Sequence, residues 1–400
     1  MTDAILVLNG GSSSLKFAVF EKSAELPVLL RGAVSSLGQH PRLHVAAAAG
    51  FHEIERSLGD APVDAAGAFS AVASLLADRD LLRRIGRVGH RIVHGGRDFT
   101  ESTLLDEPAL QALRLLEPLA PIHQRINLEI VALAAELLPQ ALQVGCFDTA
   151  FHSARPRLAK IYGLPRAMCE AGICSYGFHG LSYSHIASKL RERYGPAAGG
   201  RTIVAHLGSG ASLCAMDAGR SIATTMGFST LDGLVMSTRC GALDPGVILH
   251  LLRDQQLPAD ELVTLLYEQS GLLGVSGISG DMRTLIDSGD PAAAEAVDLF
   301  VYRIGREIGS LAAAMGGLDT LVFTAGIGEN APLIRERVSV AAAWLGVALD
   351  KELNRRGEEV VGDSNSRVEV LVIAADEERA VAAEMVVFRS AVPETAGRGG

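Results

Sequence analysis

The first residues that could do chemistry form a glycine- and serine-rich loop near the start of the chain. Residues 10–14 are two glycines and three serines, with Ser12 at the centre, and Lys16 follows two positions later. Glycines let the backbone approach an anion closely, hydroxyls donate hydrogen bonds to it, and a lysine adds positive charge. Asn9 precedes the loop and can offer its amide to a phosphate or to a metal-bound water. The loop therefore favours phosphate binding over an ordinary hairpin turn, although it lacks the Walker A spacing.

A second candidate site is the arginine-, histidine- and glycine-rich segment GRVGHRIVHGGRDF at 86–99. On a strand, Arg91 and Val93 point to one face and His90 points to the other. A guanidinium binds a carboxylate through two parallel hydrogen bonds, and a neighbouring valine can pack against a short apolar tail. The segment indicates a site for a small carboxylate in preference to surface charge, since a surface strand seldom needs so much glycine.

Three further residues, taken singly, are candidates for a functional role. Asp148 sits in the apolar segment CFDTAFH, where a carboxylate is paired, metal-linked or catalytic, or serves as a structural acceptor. His179 lies in a glycine-flanked turn, either facing a ligand or serving the structure. Arg239 is a second arginine that, together with Arg91, would suit the charge on the equatorial oxygens of a transferring phosphoryl group.

More glycine-rich turns occur later, at 206–210, 276–283 and 326–330. Each is a weak signal alone, but with the first loop they suit the pieces of a nucleotide site drawn from two halves of the chain. Near the C-terminus, VLVIAADEERA is interpreted as a strand that ends in acidic residues, among them Glu377. A carboxylate at a strand end is a natural Mg²⁺ ligand, whereas acidic residues at the start of a helix fit the pattern equally well.

The elements that must position these residues alternate between short strands and long helices. Near-continuous apolar runs flank the first loop, and 202–219 repeats the pattern of strand, glycine-rich turn and strand. Helical spacing of apolar residues predicts helices over 125–138 and 292–317. The segment 318–338 is interpreted as strand, glycine-rich turn and helix, with Pro332 in the first helical turn.

The two strand–turn–strand units resemble each other in sequence. Superposing Ser14 on Ser212 places Gly10 on Gly208, an offset of about half the 400 residues. This similarity indicates either two related halves of the chain or a chance coincidence in a sequence with 43 glycines. The length alone predicts about two domains.

Composition excludes several classes of partner. A net charge of −10 disfavours binding to nucleic acid or to a membrane surface, both of which are densely negative. The five cysteines include no C-x-x-C pair and are interpreted as reduced thiols. No basic leader precedes the first strand, and no apolar run reaches the ~18 residues of a membrane helix. We therefore expect a soluble cytoplasmic protein.

Eight segments in order resemble the signature segments of the acetate kinases: LNGGSSSLKF, GHRIVHGG, FDTAFH, YGFHGLSYSH, HLGSGASLCA, MGFSTLDGLVMSTRCGALDPG, SGISGDMR and FTAGIGENAPLIRERV. That family belongs to the superfamily of acetate and sugar kinases, heat-shock ATPases and actin. The resemblance implies an α/β fold of duplicated ribonuclease H-like, actin-like ATPase domains, with mixed sheets flanked by helices and an active-site cleft between them. In such proteins phosphate lies against β-hairpin turns.

The resemblance also implies domain boundaries. An acyl- and phosphate-binding domain would span 1–150 together with a C-terminal helix at about 377–392. A nucleotide-binding domain would span 151–376, and 393–400 would form a frayed tail.

Residue roles follow from the resemblance. Arg91 and Arg239 would hold the carboxylate and the migrating phosphoryl group, His179 would bond an equatorial oxygen, and Asp148 would organise the ligands around magnesium. Asn9 and Glu377 would serve the metal, and Lys16 and Ser12 would meet the ATP phosphates. The acyl methyl would face Val93, Ile122, Phe178 and Thr230. The expected nucleotide contacts are His206, Leu207, Gly208, Ser209, Gly210, Asp281, Met282, Arg283, Gly326, Ile327, Gly328, Glu329 and Asn330.

The implied activity is reversible, direct transfer of the γ-phosphoryl group of ATP to acetate, with Mg²⁺ or Mn²⁺, by a homodimer. A propionate or butyrate kinase is the near alternative, and a chaperone- or actin-like ATPase is the distant one. The chain departs from the family pattern at Ser209, Ser237, Cys240, Ala242 and the pair Gln124–Arg125. Thr230 replaces a common proline of the acyl pocket, which leaves the chain-length preference open, because one methylene is worth only ~1–3 kcal/mol.

Overall fold

A computed structural model describes residues 3–11, 13–38, 40–47 and 52–389. The chain divides into two compact units. The first unit contains the residues up to Ala150 and those from Glu377 onward, and the second is Phe151–Asp376. The predicted frayed tail, 393–400, lies outside the described residues.

The described part of the first unit forms an eight-stranded mixed sheet in the order β5-β4-β3-β2-β1-β6-β8-β7. β1 is antiparallel to β2 and parallel to β6, which is in turn parallel to β8. All seven residues of β1 are buried, as expected for a central strand covered on both faces. The strands are β1 (Ala4–Gly10), β2 (Ser14–Glu21), β3 (Val28–Ser35), β4 (Arg42–Ala46), β5 (Ile54–Ser57), β6 (Ile85–Ile92), β7 (Thr103–Leu104) and β8 (Leu142–Phe147).

Helices cover both faces of this sheet. They are α1 (Ala65–Asp78), α2 (Glu107–Arg114), α3 (Pro121–Leu137) and, from the end of the chain, α14 (Glu377–Val387), with 3₁₀ turns at Leu82–Arg84 and Glu117–Leu119. α1 and α3 pack on one face through a buried cluster that includes Leu6, Phe17, Val72 and Ile130. α14 packs against β1 and β6 on the other face.

The second unit contains a five-stranded mixed sheet in the order β11-β10-β9-β12-β13. Its strands are β9 (Arg201–Leu207), β10 (Ala211–Asp217), β11 (Arg220–Thr224), β12 (Thr320–Thr324) and β13 (Glu369–Val372). On one face, Tyr183, Ile186 and Leu190 pack against Val204 and Val322. On the other, a long helix with Phe300, Ile304 and Ile308 buried packs against β9, β10 and β11.

The helices of the second unit are α4 (Arg166–Glu170), α5 (Gly180–Tyr194), α6 (Pro245–Arg253), α7 (Ala259–Glu268), α8 (Gly271–Ser276), α9 (Met282–Asp287), α10 (Pro291–Met315), α11 (Ala325–Asn330), α12 (Pro332–Ala341) and α13 (Lys351–Arg356). Three 3₁₀ turns lie at Arg157–Ala159, Gly195–Ala197 and Ala343–Leu345. Another, Ala150–His152, lies where the chain passes from the first unit to the second.

The two units repeat one topology. In each sheet the first strand is antiparallel to the second and parallel to the fourth, the third is antiparallel to the second, and the fifth is parallel to the fourth (β1, β2, β3, β6, β8 and β9, β10, β11, β12, β13). This confirms the predicted duplication of an α/β domain with a mixed sheet. The hairpins differ in detail, because four residues separate the paired Gly10 and Leu15 and three separate Leu207 and Ala211. The offset between Ser14 and Ser212, 212 − 14 = 198 positions, therefore does not align both strands of the two hairpins.

Local signals account for several helix ends. α10 begins with Asp290 as N-cap and Pro291 in the first turn, and it ends at Gly316 with φ 73°. Pro332 occupies the first turn of α12, as predicted. The interpretation of 326–330 as a turn is wrong, because these residues belong to the short helix α11.

Candidate active site

Arg91 is the penultimate residue of β6, and Asp148 directly follows the neighbouring strand β8. The guanidinium lies against both carboxyl oxygens: Nη2 is 2.6 Å from Oδ2, and Nε lies 3.1 and 3.2 Å from the two oxygens. The Asp148 side chain is 1% exposed and that of Arg91 is 16% exposed. Of the alternatives left open by the sequence, Asp148 is therefore an ion-paired carboxylate.

The charges around Arg91 favour its ionised form. Burial of the guanidinium lowers its pKa, but the negative charges of Asp148 and Glu377 act more strongly together, so the pKa of Arg91 is raised. Burial raises the pKa of Asp148, whereas Arg91 acts in the opposite direction. Because both oxygens of Asp148 accept N–H groups, the geometry is that of a carboxylate paired with a guanidinium.

Asn9 connects this pair to α14. Its Oδ1 accepts a hydrogen bond from Nη1 of Arg91 at 3.1 Å, and its Nδ2 donates to Glu377 Oε2 at 2.9 Å and to Glu378 Oε1 at 3.0 Å. Four predicted site residues of the first unit, Asn9, Arg91, Asp148 and Glu377, are thus brought together. Glu378 joins them without having been assigned a role from sequence.

The acidic residues near the C-terminus do not end a strand. β13 stops at Val372, and Glu377 and Glu378 form the first turn of α14. The alternative interpretation, acidic residues at a helix N-terminus, is the correct one for their secondary structure.

The oxygen donors around Asn9 suit Mg²⁺, which prefers carboxylate and amide oxygens. Within the part of the chain that the structure describes, no group of three or more His, Cys, Asp or Glu side chains is placed to hold a metal by itself. Mg²⁺ is usually held by one or two carboxylates together with substrate phosphates and water. Asn9 and Glu377 fit that pattern, and their role as metal-site residues stays a prediction.

The first hairpin places Lys16 on the face that carries Asn9, since the two residues are cross-strand partners. Ser12 lies outside the described residues. Gly10 is a glycine for a packing reason that the sequence did not reveal: a Cβ there would collide with Ile130 of α3. Helix packing, in addition to any anion contact, therefore requires glycine at the end of β1.

The residues predicted to face the acyl group divide between the units. Val93 follows β6 and is buried, and Ile122 lies in α3, where its side chain is outside the described part. Phe178 and Thr230 are buried in the second unit. Their common pocket stays a prediction.

His179 is held in an unusual backbone conformation. It directly precedes α5 and has φ 58°, in the left-handed region that few non-glycine residues adopt. Its Nδ1 lies 2.8 Å from Oγ of Ser212 on β10, and its ring stacks on His206 with centroids 4.2 Å apart. Two contacts from the second hairpin thus fix the ring, and residues of this kind cluster at functional sites.

Gly210 lies between His179 and Arg239. A Cβ at this position would be 3.3 Å from Nε2 of His179 and 3.8 Å from Nη1 of Arg239. Nη1 of Arg239 also donates to the carbonyl of Thr230 at 3.0 Å. The imidazole, the guanidinium and the turn at 206–210 therefore converge, as an anion site requires.

The other predicted nucleotide segments adjoin the same turn. Ser209 accepts a backbone hydrogen bond from Ser237 at 3.2 Å, and a Cβ on Gly280 would lie 2.8 Å from the Ser237 carbonyl oxygen. On the other side, a Cβ on Gly208 would lie 3.7 Å from that of Ala325. The segments 281–283 and 326–330 are thus neighbours of 206–210.

Three of the predicted nucleotide contacts also form hydrogen bonds within the protein. Asp281 caps α9 by accepting from the Thr284 amide at 2.9 Å, a bond that lowers the pKa of its carboxyl. Glu329 Oε1 accepts from the Ala375 amide at 2.9 Å. Asn330 donates to the carbonyl of Gly326 at 2.9 Å.

His152 positions the loop before His179. It lies in the segment CFDTAFH, and the sequence alone indicated no role for it. Its Nε2 lies 2.9 Å from the Phe178 carbonyl oxygen, and its Nδ1 lies 2.8 Å from Oγ of Ser221. Because a carbonyl only accepts, Nε2 carries the proton and Nδ1 accepts from the serine. Burial, with a smaller effect of the Arg155 charge, lowers the pKa of His152 to about 3.

Two solved structures that resemble this chain are carboxylate kinases. The chain is similar to a propionate kinase from Francisella tularensis subsp. tularensis SCHU S4 (TM-score 0.88, 34% identity, 96% of this chain and 98% of that chain). It is also similar to the acetate kinase of Porphyromonas gingivalis (TM-score 0.84, 36% identity, 96% and 98% covered). These likenesses confirm the predicted fold class.

Sequence comparison defines the family. The chain is 48% identical over 388 residues to an acetate kinase of Rhodopseudomonas palustris (strain TIE-1), covering 96% of this chain and 97% of that protein. The sequence model of the acetokinase family matches residues 4–383. The chain belongs to the acetokinase family, which confirms the resemblance seen in the eight segments. Among the described residues, no helix is both long enough and apolar enough to cross a membrane.

Proposed function

We propose that the protein catalyses reversible transfer of the γ-phosphoryl group from ATP to acetate, giving acetyl phosphate and ADP. Family membership supports this activity. The main observation in the site is the partly buried guanidinium of Arg91. Asp148 and Asn9 orient it two residues before the buried, apolar Val93. A guanidinium beside a small apolar side chain matches a carboxylate with one methyl group.

Arg91 binds and orients the acetate carboxylate in this proposal. A carboxylate is already ionised at neutral pH, so its attack on phosphorus needs no general base. Asp148 acts through Arg91, because both of its oxygens accept N–H groups from that guanidinium. Its role is to position the arginine and not to accept a proton.

Arg239 and His179 serve the transferring phosphoryl group. Negative charge spreads over three equatorial oxygens during in-line transfer, and fixed donors lower the barrier without reorganising. Nε2 of His179 and Nη1 of Arg239 lie 3.3 and 3.8 Å from where a Cβ on Gly210 would be, and Ser212 holds the imidazole through its other nitrogen, Nδ1. We assign phosphate and nucleotide binding in the second unit to the turn at 206–210 and its neighbours 281–283 and 326–330. The first unit has the acyl-binding role.

Mg²⁺, with Mn²⁺ as a substitute, is the proposed cofactor. When bound with ATP, the ion neutralises charge on the β- and γ-phosphoryl oxygens. Asn9 and Glu377 are the residues we assign to it, since Glu377 carries a carboxylate, the usual protein ligand of Mg²⁺, and Asn9 is hydrogen-bonded to that carboxylate.

Propionate is the second candidate acceptor, favoured by the likeness to the propionate kinase structure and by Thr230 in place of a family proline. Purified protein with ATP, Mg²⁺, hydroxylamine and acetate, propionate or butyrate should give the most acyl hydroxamate with acetate. More hydroxamate with propionate would assign the longer acid. ATP hydrolysis without any hydroxamate would favour a chaperone- or actin-like ATPase and refute the proposal.

We also propose a cytoplasmic homodimer, since ATP is a cytoplasmic nucleotide and α6 exposes several apolar side chains. None of the α6 residues is buried, and Val247, Leu249 and Leu252 are 42%, 55% and 37% exposed. Large apolar side chains exposed together on one helix indicate a protein–protein contact. Sedimentation should show a dimer that Leu249→Glu converts to monomer and that Val340→Glu, at an exposed residue of α12, does not. A monomeric parent protein would contradict this.

A further inference from the structure

The backbone that follows Arg91 is held by side chains instead of a neighbouring strand. The amide of Val93 donates to Oδ1 of Asn127 at 3.0 Å, and that of His94 donates to Oε1 of Gln124 at 3.2 Å. The amide of Gly95 donates to Oγ1 of Thr149 at 3.0 Å. Three consecutive N–H groups therefore rely on side chains for their hydrogen bonds.

Asn127 differs from the other supports because it also bonds to β1. Its Nδ2 donates to the carbonyl of Gly10 at 2.8 Å, and the residue is 2% exposed. The buried side chain of Asn127 therefore joins two segments. One is the end of β1, which leads into the phosphate loop, and the other is the backbone at Val93, two residues after Arg91. α3, which carries Asn127, also packs tightly on Gly10 through Ile130.

Gln124 provides an internal comparison. It lies one turn earlier on α3, is fully buried, and bonds to both backbone groups of His94 and to the carbonyl of Leu113. None of these bonds, made within the part of the chain that the structure describes, reaches β1. Both side chains therefore support the segment after β6, but only that of Asn127 links it to the first hairpin.

We propose that Asn127 is a positioning residue. Its side chain fixes the position of the phosphate loop relative to the end of β6, where the carboxylate binds. The inference rests on the proposed function, in which Arg91 and Val93 bind acetate and the loop meets phosphate. A nucleophile and a phosphoryl group must meet in line at close range, and a misplacement of about 1 Å can cost ~10²-fold in rate. A side chain that spans both elements controls that distance without touching either substrate.

The first test compares Asn127→Leu with Gln124→Met, which each replace a buried amide side chain by an apolar one and so remove its hydrogen bonds. We expect kcat to fall about 100-fold in Asn127→Leu and less than about fivefold in Gln124→Met. The thermal midpoints should fall by similar amounts, which separates positioning from stability. Equal losses of kcat in the two variants, or a normal kcat in folded Asn127→Leu, would overturn the proposal.

A second test uses Asn127→Asp, which keeps an acceptor for the Val93 amide but loses the N–H donor to Gly10 when ionised. Position 127 is 2% exposed, and burial raises the pKa of a carboxyl group placed there. Protonation then restores a donor, so kcat of Asn127→Asp relative to the parent protein should rise as the pH falls from about 8 to about 6. An unchanged ratio across this range would contradict a role for the Gly10 bond. Asn127→Asp also tests the proposal if Asn127→Leu does not fold.

Hydrogen exchange gives a readout that does not depend on the substrate. Asn127→Leu should speed exchange both in a peptide that covers Gly10 and in one that covers Val93, whereas Gln124→Met should affect only the second. Unchanged exchange at Gly10 in Asn127→Leu would refute the coupling. A parent protein that forms no acetyl phosphate, yet shows this exchange pattern, would refute the proposed function and leave the coupling intact.

Discussion

Nη2 of Arg91 lies 2.6 Å from Oδ2 of Asp148, and its Nη1 lies 3.1 Å from Oδ1 of Asn9. The guanidinium is therefore fixed on two sides by residues of its own unit. Only 16% of the side chain is exposed, so its remaining N–H groups point in a restricted direction. An arginine held in this way binds a carboxylate at little entropic cost.

The fork geometry predicts that Arg91→Lys loses activity although it keeps the charge. A lysine ammonium cannot hold Asp148, Asn9 and a substrate carboxylate in one plane. We expect kcat/KM for acetate to fall by about 10³-fold, and a similar loss in Arg239→Ala. Arg87→Lys on the same strand, where the arginine bonds to the carbonyl of Phe388, is the control. Arg91→Lys within tenfold of the parent would contradict the assignment.

The convergence at Gly210 predicts that a single methyl group disturbs the site. In Gly210→Ala the new Cβ would lie 3.3 Å from His179 Nε2 and 3.8 Å from Arg239 Nη1, inside the space that a phosphoryl oxygen needs. We expect at least about a tenfold fall in kcat with little change in thermal midpoint, since no buried atom is removed. Gly163→Ala, where a Cβ would meet open space, should leave kcat unchanged. A Gly210→Ala enzyme with parental kcat would place the phosphoryl group elsewhere.

The burial of His152 predicts a stability loss in acid. Its pKa is about 3 in the folded protein and 6.5 ordinarily, so the unfolded chain binds more protons between these values. Stability from this residue is therefore present above pH ~6.5 and falls as the pH decreases, by up to about 1.4 kcal/mol per pH unit.

Urea unfolding between about pH 4 and pH 6 checks this. In His152→Gln, whose amide still donates to the Phe178 carbonyl, the slope of unfolding free energy against pH should decrease by about one proton. His52→Gln, at an exposed histidine, should leave the slope unchanged. An equal slope in His152→Gln and the parent would show that His152 is not neutral when buried.

The metal assignment predicts weaker cation binding in Glu377→Gln. Removing one carboxylate from the Asn9 network should raise the dissociation constant for Mn²⁺, measured by paramagnetic resonance with ADP present, by about tenfold or more. Glu384→Gln is the matched control, because Glu384 lies on the same helix and bonds to Ser102 instead. Equal Mn²⁺ affinities in the two variants would remove Glu377 from the metal site.

Strand pairs and glycine hairpins were predictable because central strands are nearly continuous apolar runs. α11 was not, because AGIGEN has two glycines and a low intrinsic helix propensity. This helix depends on Arg335, a fully buried residue whose guanidinium donates to the carbonyls of Gly328 and Glu329. Such tertiary support has no periodic signal in the sequence.

The candidate site was predictable where side-chain chemistry is unusual, as in the arginines, the glycine turns and Asp148. Its supports were not predictable, because histidines and amides that bond to backbone atoms resemble ordinary buried residues. His152 reaches Phe178 and Asn127 reaches Gly10 only after distant segments pack together. Asn9 and Glu377, 368 positions apart, were linked from sequence only through the family resemblance.

A crystal structure with ADP, Mg²⁺, acetate and aluminium fluoride tests most directly whether Arg91 and Arg239 act on one transferring group. We expect each guanidinium to have an N–H donor within about 3 Å of the fluoride or of the acetate oxygens next to it. His179 should donate to an equatorial fluorine. A structure in which either guanidinium faces bulk solvent, outside direct or water-bridged reach of that group, would contradict the account.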